Sequence, residues 1–325
     1  MKQIILNADD FGPSNFLNNG IIDGIRNGVV NSVSVFVTYG KSNLINIKNL
    51  KEFCIREGYN VKIGLHFTMT AGSPTAPLDK VQNLVQKIKG KWYFNLASQL
   101  DLDVIACNEI RTELVAQLKL LAKVLDIPIH EIDHINNHQG IVYFHDPFWN
   151  EFVETAAEYN IAIRSPLAYH TWGHPYLTNK RLIKRWLPIT EDGIKTIVGS
   201  VFEGNLDDAI ELIPGTQAKV LRKKKAYAES IDLNHPSYFI AHYYKQASVN
   251  KIHHFLNYIE KGETAEFMLH LGKGDFSNEE LWGVRDDSYK PRIDELNSLK
   301  SSNIKELMQH HKIELVNYST MQKLA

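Results

Sequence analysis

The chain has 325 residues, 44% of them hydrophobic and 22% charged, with a formal net charge of −1. That balance gives no sign of the basic face or stripe that a nucleic-acid binder needs, and no apolar run approaches the ~18 residues of a membrane helix, so neither partner is expected. Two isolated cysteines, Cys54 and Cys107, make no disulfide framework, and the opening Met1-Lys2-Gln3-Ile4-Ile5-Leu6 is too short and soon too acidic for a signal peptide; a cytoplasmic protein is expected.

In chain order, Ile4-Ile5-Leu6 reads as a buried strand ending at Asn7-Ala8-Asp9-Asp10. Ile21 to Ile25 reads as helix, stopped by Gly28. Val33 to Val37, rich in β-branched residues, is a second strand, and Val61 to Phe67, carrying His66, a third. Asn108 to Leu125 is a helix: Leu114, Leu118, Leu121 and Leu125 recur at helical spacing, with Arg111, Glu113 and Lys119 off that stripe. Glu131 to Ile135 reads as a strand running into Asn136-Asn137-His138. Pro147 to Tyr159 is helical with proline in its first turn, and Ile161 to Arg164 is a short strand cut off by Pro166. Helix Val249–Lys261, strand Ala265–His270, helices Pro291–Leu299 and Ile304–His311, and strand Ile313–Val316 complete the series.

Strands alternating with helices predict a parallel sheet covered by helices. The expected class is α/β, a distorted TIM-like (β/α) barrel, and the length suits one such domain over 1–325. Residues 167–235 are the irregular part and read as an insertion carrying substrate loops and helices, not as a separate domain. Their basic run Arg222-Lys223-Lys224-Lys225, among neighbours of mixed sign, reads as a solvated helix face or loop.

Polar residues recur at predicted strand ends: Asp9 and Asp10, His66, His138, Arg164 and His270. In a parallel barrel all carboxyl ends open on one face, where active sites are built. Singly, each has a plain reading. Asp9-Asp10 lies in a run of turn formers, although adjacent carboxylates after an apolar strand are costly unless solvated, paired or metal-bound. His66 and His270 alone read as satisfied core histidines. His134 and His138 are four apart, but Ile135 stands where a zinc-protease helix needs Glu.

The combination resembles the YdjC-like carbohydrate deacetylases, which include chitooligosaccharide deacetylases. The similar segments are Asn7-Ala8-Asp9-Asp10-Phe11-Gly12, Gly28-Val29-Val30-Asn31-Ser32-Val33-Ser34, Gly64-Leu65-His66-Phe67, His134-Ile135-Asn136-Asn137-His138-Gln139, Ile163-Arg164-Ser165-Pro166, Glu266-Phe267-Met268-Leu269-His270 and Tyr289 to Leu296 with Pro291-Arg292 and Glu295-Leu296. The chain departs from the family pattern at Asn136 (usually Asp), Gly140 (usually His) and Leu271 (usually Pro).

The resemblance implies a metal-dependent hydrolase that removes acetyl groups from an N-acetylated sugar or short oligosaccharide by attack of metal-activated water. Asp10, His66 and His138 would bind one divalent ion. Imidazole ligands favour zinc or another transition ion, whereas family members are often described with magnesium, so the ion stays open. Asp9 would be the general base and His270 the general acid, and Arg164 would orient Asp9 or bind substrate. Tyr169, Trp172 and Trp282 are candidates to stack on sugar rings and equally candidates for the core. The expected partner is a small carbohydrate, and a homodimer is allowed for. The alternatives are a metal-dependent deacylase of a non-sugar metabolite, or a non-catalytic sugar-binding protein, to which Asn136 and Gly140 lend some weight and against which the intact Asp9, Asp10, His66, His138 and His270 argue.

Overall fold

The computed structural model describes residues 2–102, 104–143, 145–166, 168–169, 214–240, 256–257, 259–275 and 289–321. Its centre is strand β1 (Lys2–Phe11), buried at every residue after Lys2. Burial on both faces is the mark of a strand inside a parallel sheet. Around it lie β2 (Ser32–Val35), β3 (Lys62–Phe67), β6 (His134–Asn137), β7 (Ala162–Ile163), β8 (Ala168–Tyr169), β9 (Tyr238–Ile240), β10 (Thr264–Leu269) and β11 (Ile313–Leu315). The order is β7-β6-β3-β2-β1-β10-β9-β8, with every pair parallel. A separate antiparallel hairpin joins β4 (Val85–Ile88) to β5 (Lys91–Phe94).

The sheet curls into an incomplete, TIM-like barrel. Its outermost strands, β7 and β8, are separated in the chain only by residues 164–167. Beside that junction, Ile163 N–H donates to Asn234 C=O at 2.9 Å, tying β7 to the segment that leads into β9. On the other side, β11 and β2 share one edge of β1. Asn31 sits where one gives way to the other: its Oδ1 accepts from Leu6 N–H at 2.9 Å and its Nδ2 donates to Val316 C=O at 2.7 Å.

The α-helices are α1 (Asn15–Arg26), α2 (Gly40–Glu57), α3 (Cys107–Leu125), α4 (Asp146–Glu158), α5 (Pro214–Ser230), α6 (Tyr289–Lys300) and α7 (Ser302–His310), with short 3₁₀ turns between some elements. Ser14 caps α1, accepting from Leu17 N–H. On α3 the expected leucine stripe is buried. Glu113, expected off that stripe, is buried too, and it accepts from Thr75 and Ala76 N–H and from Gln117. Its carboxylate pins the loop after β3. Helix α1 lies so close to the segment after β10 that a Cβ on Gly20 would sit 2.5 Å from Gly272 Cα.

The structure moves several expected boundaries. Helix α1 begins earlier than Ile21, at its serine cap, and β1 runs through Asp10. Ile129–Glu131 is a 3₁₀ turn after Pro128, so β6 begins only at His134. Helix α2 and the β4–β5 hairpin were not expected. The hairpin turns on Lys89 (φ 48°) and Gly90 (φ 84°), the positive pair a tight primed turn requires. The basic run lies on α5: Arg222 and Lys223 are exposed as expected, whereas Lys224 is buried and pairs with Asp146 at the start of α4. Of the expected helix Val249–Lys261, 249–255 lie outside the described residues, and 259–261 are not helical. Residues 170–213, which include Trp172, also lie outside them, as do Trp282 and the side chain of Tyr169.

Candidate metal and catalytic site

The site forms at the carboxyl end of β1. Asp10 is held at φ 70°, a left-handed conformation that costs a non-glycine residue roughly 1–2 kcal/mol. Here three steps along β1, from Ala8 to Phe11, match two along β2, from Val33 to Val35. This bulge breaks the strict alternation of the strand. Both adjacent carboxylates thereby reach the side chains of β3 and β6, Asp9 through Asn136 and Asp10 through His66.

Around Asp10 three electron-pair donors converge. Its Oδ1 lies 3.2 Å from His66 Nε2 and 3.6 Å from His138 Nδ1, and the two ring nitrogens are 3.2 Å apart. Asp10 Oδ1 is buried and, among the described residues, accepts no hydrogen bond. Ligands roughly 2.0–2.2 Å from a shared ion lie roughly 3.0–3.5 Å from one another, so one carboxylate and two imidazoles fit a divalent cation. Among the described residues, these three form the group of His, Cys, Asp and Glu side chains spaced to hold a metal. The other Asp10 oxygen accepts from Arg292 on α6 at 2.6 Å, which leaves Oδ1 as the single oxygen turned to the imidazoles.

Asp9 is held differently. Arg164, just past β7, grips it with NH1 to Oδ2 at 2.8 Å and NH2 to Oδ1 at 2.9 Å. Asn7 and Asn136 add donors to Oδ1 at 2.7 and 2.9 Å. Arg164 also donates to Glu266 of β10, from Nε at 2.8 Å and NH2 at 2.5 Å, and Tyr318 OH donates to the same carboxylate. Arg164 is 2% exposed, and its guanidinium nitrogens are engaged with carboxylates.

Burial pushes the Asp9 carboxyl up, and Arg164 beside it, with His66 and His270 adding, more than offsets this, so Asp9 stays ionised far below the usual carboxylate range. Asp10 follows the same pattern, with Arg292 the chief opposing charge. Burial lowers His270 to about 4, outweighing the pull of Asp10, so its imidazole is neutral near pH 7. Glu295 on α6, which accepts from His270 N–H at 2.8 Å, is raised by burial to about 8 and holds its proton. His270 Nε2 lies 4.0 Å from Asp10 Oδ2. His138 and His270, 11% and 15% exposed, form the open rim, while Asp9, Asp10, His66 and Arg164 lie beneath it.

All six residues singled out in the sequence thus gather in one place. Sequence reasoning did not place Arg292, Asn136 or Glu266 as direct contacts of this group. Arg292 and Glu266 lie in segments that carried the family resemblance, and Asn136 stood out as a departure from it. Asp133, His134 and Ser34 also align as an acid–base–hydroxyl series, with Ser34 Oγ 2.8 Å from His134 Nε2. Ser34 and His134 are fully buried, and Ser34 Oγ already accepts from Asn7 and Asn136, so this serine is no nucleophile.

The sequence pattern of the YdjC-like protein family matches residues 3–310. The chain belongs to that family. This YdjC-like chain is 29% identical over 220 residues to a carbohydrate deacetylase of Thermoanaerobacter pseudethanolicus, an alignment that covers 64% of this chain and 79% of that one. It is 33% identical over 156 residues to a chitooligosaccharide deacetylase of Proteus mirabilis, covering 47% and 56%. The chain thus spans little more than half the length of that relative, and 59% of a namesake from Citrobacter koseri. The YdjC-like fold is shared with an Enterococcus faecalis V583 structure described as a candidate cellobiose-phosphate cleavage protein, at TM-score 0.69 and 23% identity over 98% of each chain. No helix among the described residues is long and apolar enough to cross a membrane.

Proposed function

We propose that this chain is a metal-dependent hydrolase that removes acetyl groups from an N-acetylated sugar or short oligosaccharide. The observation that carries the proposal is the convergence of Asp10, His66 and His138 beside a separately clamped carboxylate, Asp9. Relatives named carbohydrate and chitooligosaccharide deacetylase supply the substrate class.

A divalent ion held by the three side chains supplies an acidified water and a Lewis acid for an acyl carbonyl. Asp9 is the proton acceptor. Its Oδ1 takes three donors and its Oδ2 one, so Oδ2 keeps a lone pair for a proton. Clamped by Arg164, Asp9 is a weak base and serves only a strongly acidified donor. His270 on the rim is the acid for the leaving amine. It is neutral at rest, so the proton it would hand to the amine is the one the attacking water gives to Asp9, passed on to the imidazole, and the buried imidazolium gives it up readily. Arg164 orients Asp9 and is not offered to substrate, because both its carboxylate partners lie in the wall. The single domain over 1–325 with an insertion at about 167–235 belongs to the same reading, supported by β8 and β9, which pair as neighbours in the sheet and flank most of that stretch.

The test is acetate release from diacetylchitobiose and N-acetylglucosamine by zinc- or magnesium-loaded protein. Release from either supports the reading. No release, from protein that binds the ion and cleaves a non-sugar acetamide or ester, would overturn the carbohydrate assignment and leave a deacylase.

A further inference from the structure

Behind the three converging ligands runs a chain of polar groups, Asp9, Asn136, Ser34 and His134, whose donors and acceptors fit together in one way. Asp9 is gripped by both NH2 groups of Arg164, so its Oδ1 only accepts. The Asn136 atom 2.9 Å from it is therefore the amide nitrogen. The second hydrogen of that nitrogen points to Ser34 Oγ at 2.8 Å. Asn7 repeats the pattern, donating to Asp9 Oδ1 at 2.7 Å and to Ser34 Oγ at 2.9 Å. Both lone pairs of Ser34 are then taken, and its hydroxyl donates to His134 Nε2 at 2.8 Å. His134 accordingly carries its hydrogen on Nδ1, facing Asp133 Oδ2 at 3.2 Å.

This fixes the remaining end. Asn136 Oδ1 can only accept, and it lies 2.6 Å from His66 Nδ1. His66 must carry hydrogen there, and in the neutral ring that a metal ion requires this leaves the lone pair of Nε2 directed at Asp10 Oδ1 and His138 Nδ1. Two fully buried side chains are involved, opposite one another in the β3–β6 register, so neither has room to turn over.

We propose that Asn136 is a positioning residue: its carbonyl fixes His66 in the Nδ1–H tautomer and presents Nε2 to a divalent ion, while its amide nitrogen steadies Asp9. The inference rests on the metal-site reading above. An amide performs both tasks at once. An aspartate at this position would keep the acceptor for His66 and lose the donors, and a leucine would keep neither. Ligand-orienting partners of this kind typically change metal affinity by about 10–100-fold.

The test uses the full chain with ¹⁵N-labelled histidine, loaded with zinc, and long-range proton–nitrogen spectra that report which ring nitrogen of His66 bears hydrogen. The expected result is hydrogen on Nδ1 and zinc on Nε2. Asn136→Asp keeps that pattern and holds zinc within about tenfold of the wild type, by competition with a chromophoric chelator. Asn136→Leu loses the fixed tautomer and binds zinc about 10–100-fold more weakly. Hydrogen on Nε2 in the wild type overturns the proposal without recourse to any variant. So does a leucine variant that keeps tautomer and affinity, or an aspartate variant that loses both as fully as leucine. A wild-type chain that binds no zinc or magnesium contradicts the metal-site reading itself, an outcome distinct from these.

Discussion

Arg164 stands between Asp9 and Glu266, and each of the three is costly to bury alone. Removing one partner of such a buried pair typically costs about 3–5 kcal/mol, because the survivor is left charged and uncompensated. Arg164→Met should therefore destabilise the chain by about that much, read from urea unfolding, whereas a loss below about 1 kcal/mol would mean that water reaches the carboxylates. Glu295 gives a prediction with a pH sign. Its folded carboxyl holds its proton up to about 8, while an unfolded glutamate loses it near 4.3. The folded chain therefore binds more protons across that interval, and this group's contribution to stability falls as pH rises from about 4.3 to about 8. Glu295→Gln keeps a neutral acceptor for His270 N–H. Unfolding of the metal-free variant should show its stability relative to wild type improving steadily from pH 5 to pH 8, and parallel pH curves would show that Glu295 ionises normally.

At the scale of elements, β3 and β6 approach so closely at Gly64 that a Cβ there would lie 2.4 Å from the His134 ring and 2.5 Å from its backbone oxygen. Backbone cannot swing aside as a side chain can. Gly64→Ala should cost about 1–3 kcal/mol, the usual range for overpacking, and should loosen zinc binding because His66 and Asn136 face each other two residues further along; unchanged melting and zinc affinity would contradict this. The sequence made such strands readable where apolar runs were long or β-branched, as in β1, β2, β3 and β10. It also showed the leucine stripe of α3. It misplaced the start of β6, because Glu131 closes a 3₁₀ turn and Ile132 and Asp133 link that turn to the strand, so the strand begins only at His134. It missed α2, whose exposed Ile45 and Ile55 blur the helical stripe. The six site residues were legible because they end strands. Arg292 was not, since the interaction joins a helix to a strand 282 residues away, and no local spacing reports such a contact. Glu113 was misread for a similar reason: its partners are backbone groups of a distant loop.

On the scale of the whole molecule, the curl of the sheet brings these ends together. Asp10 comes from β1 and His66 from β3, His138 follows β6, Arg164 follows β7 and His270 follows β10. An ion bound among three of them would tie β1, β3 and the end of β6 in the folded chain alone. Bound ligand stabilises by about 2.7 kcal/mol when present at 100 times its Kd, so metal-loaded protein should melt at a higher temperature than stripped protein. The measurement that bears most directly on the proposed chemistry is a zinc titration of stripped protein, following bound zinc and acetate release from diacetylchitobiose in the same samples, for the wild type and for Asp10→Asn. The expected result is one ion per wild-type chain, with acetate release rising in step with it, and loss of both tight binding and release in the folded variant. Full acetate release from the stripped wild type, or an Asp10→Asn variant that binds and hydrolyses as the wild type does, would contradict it.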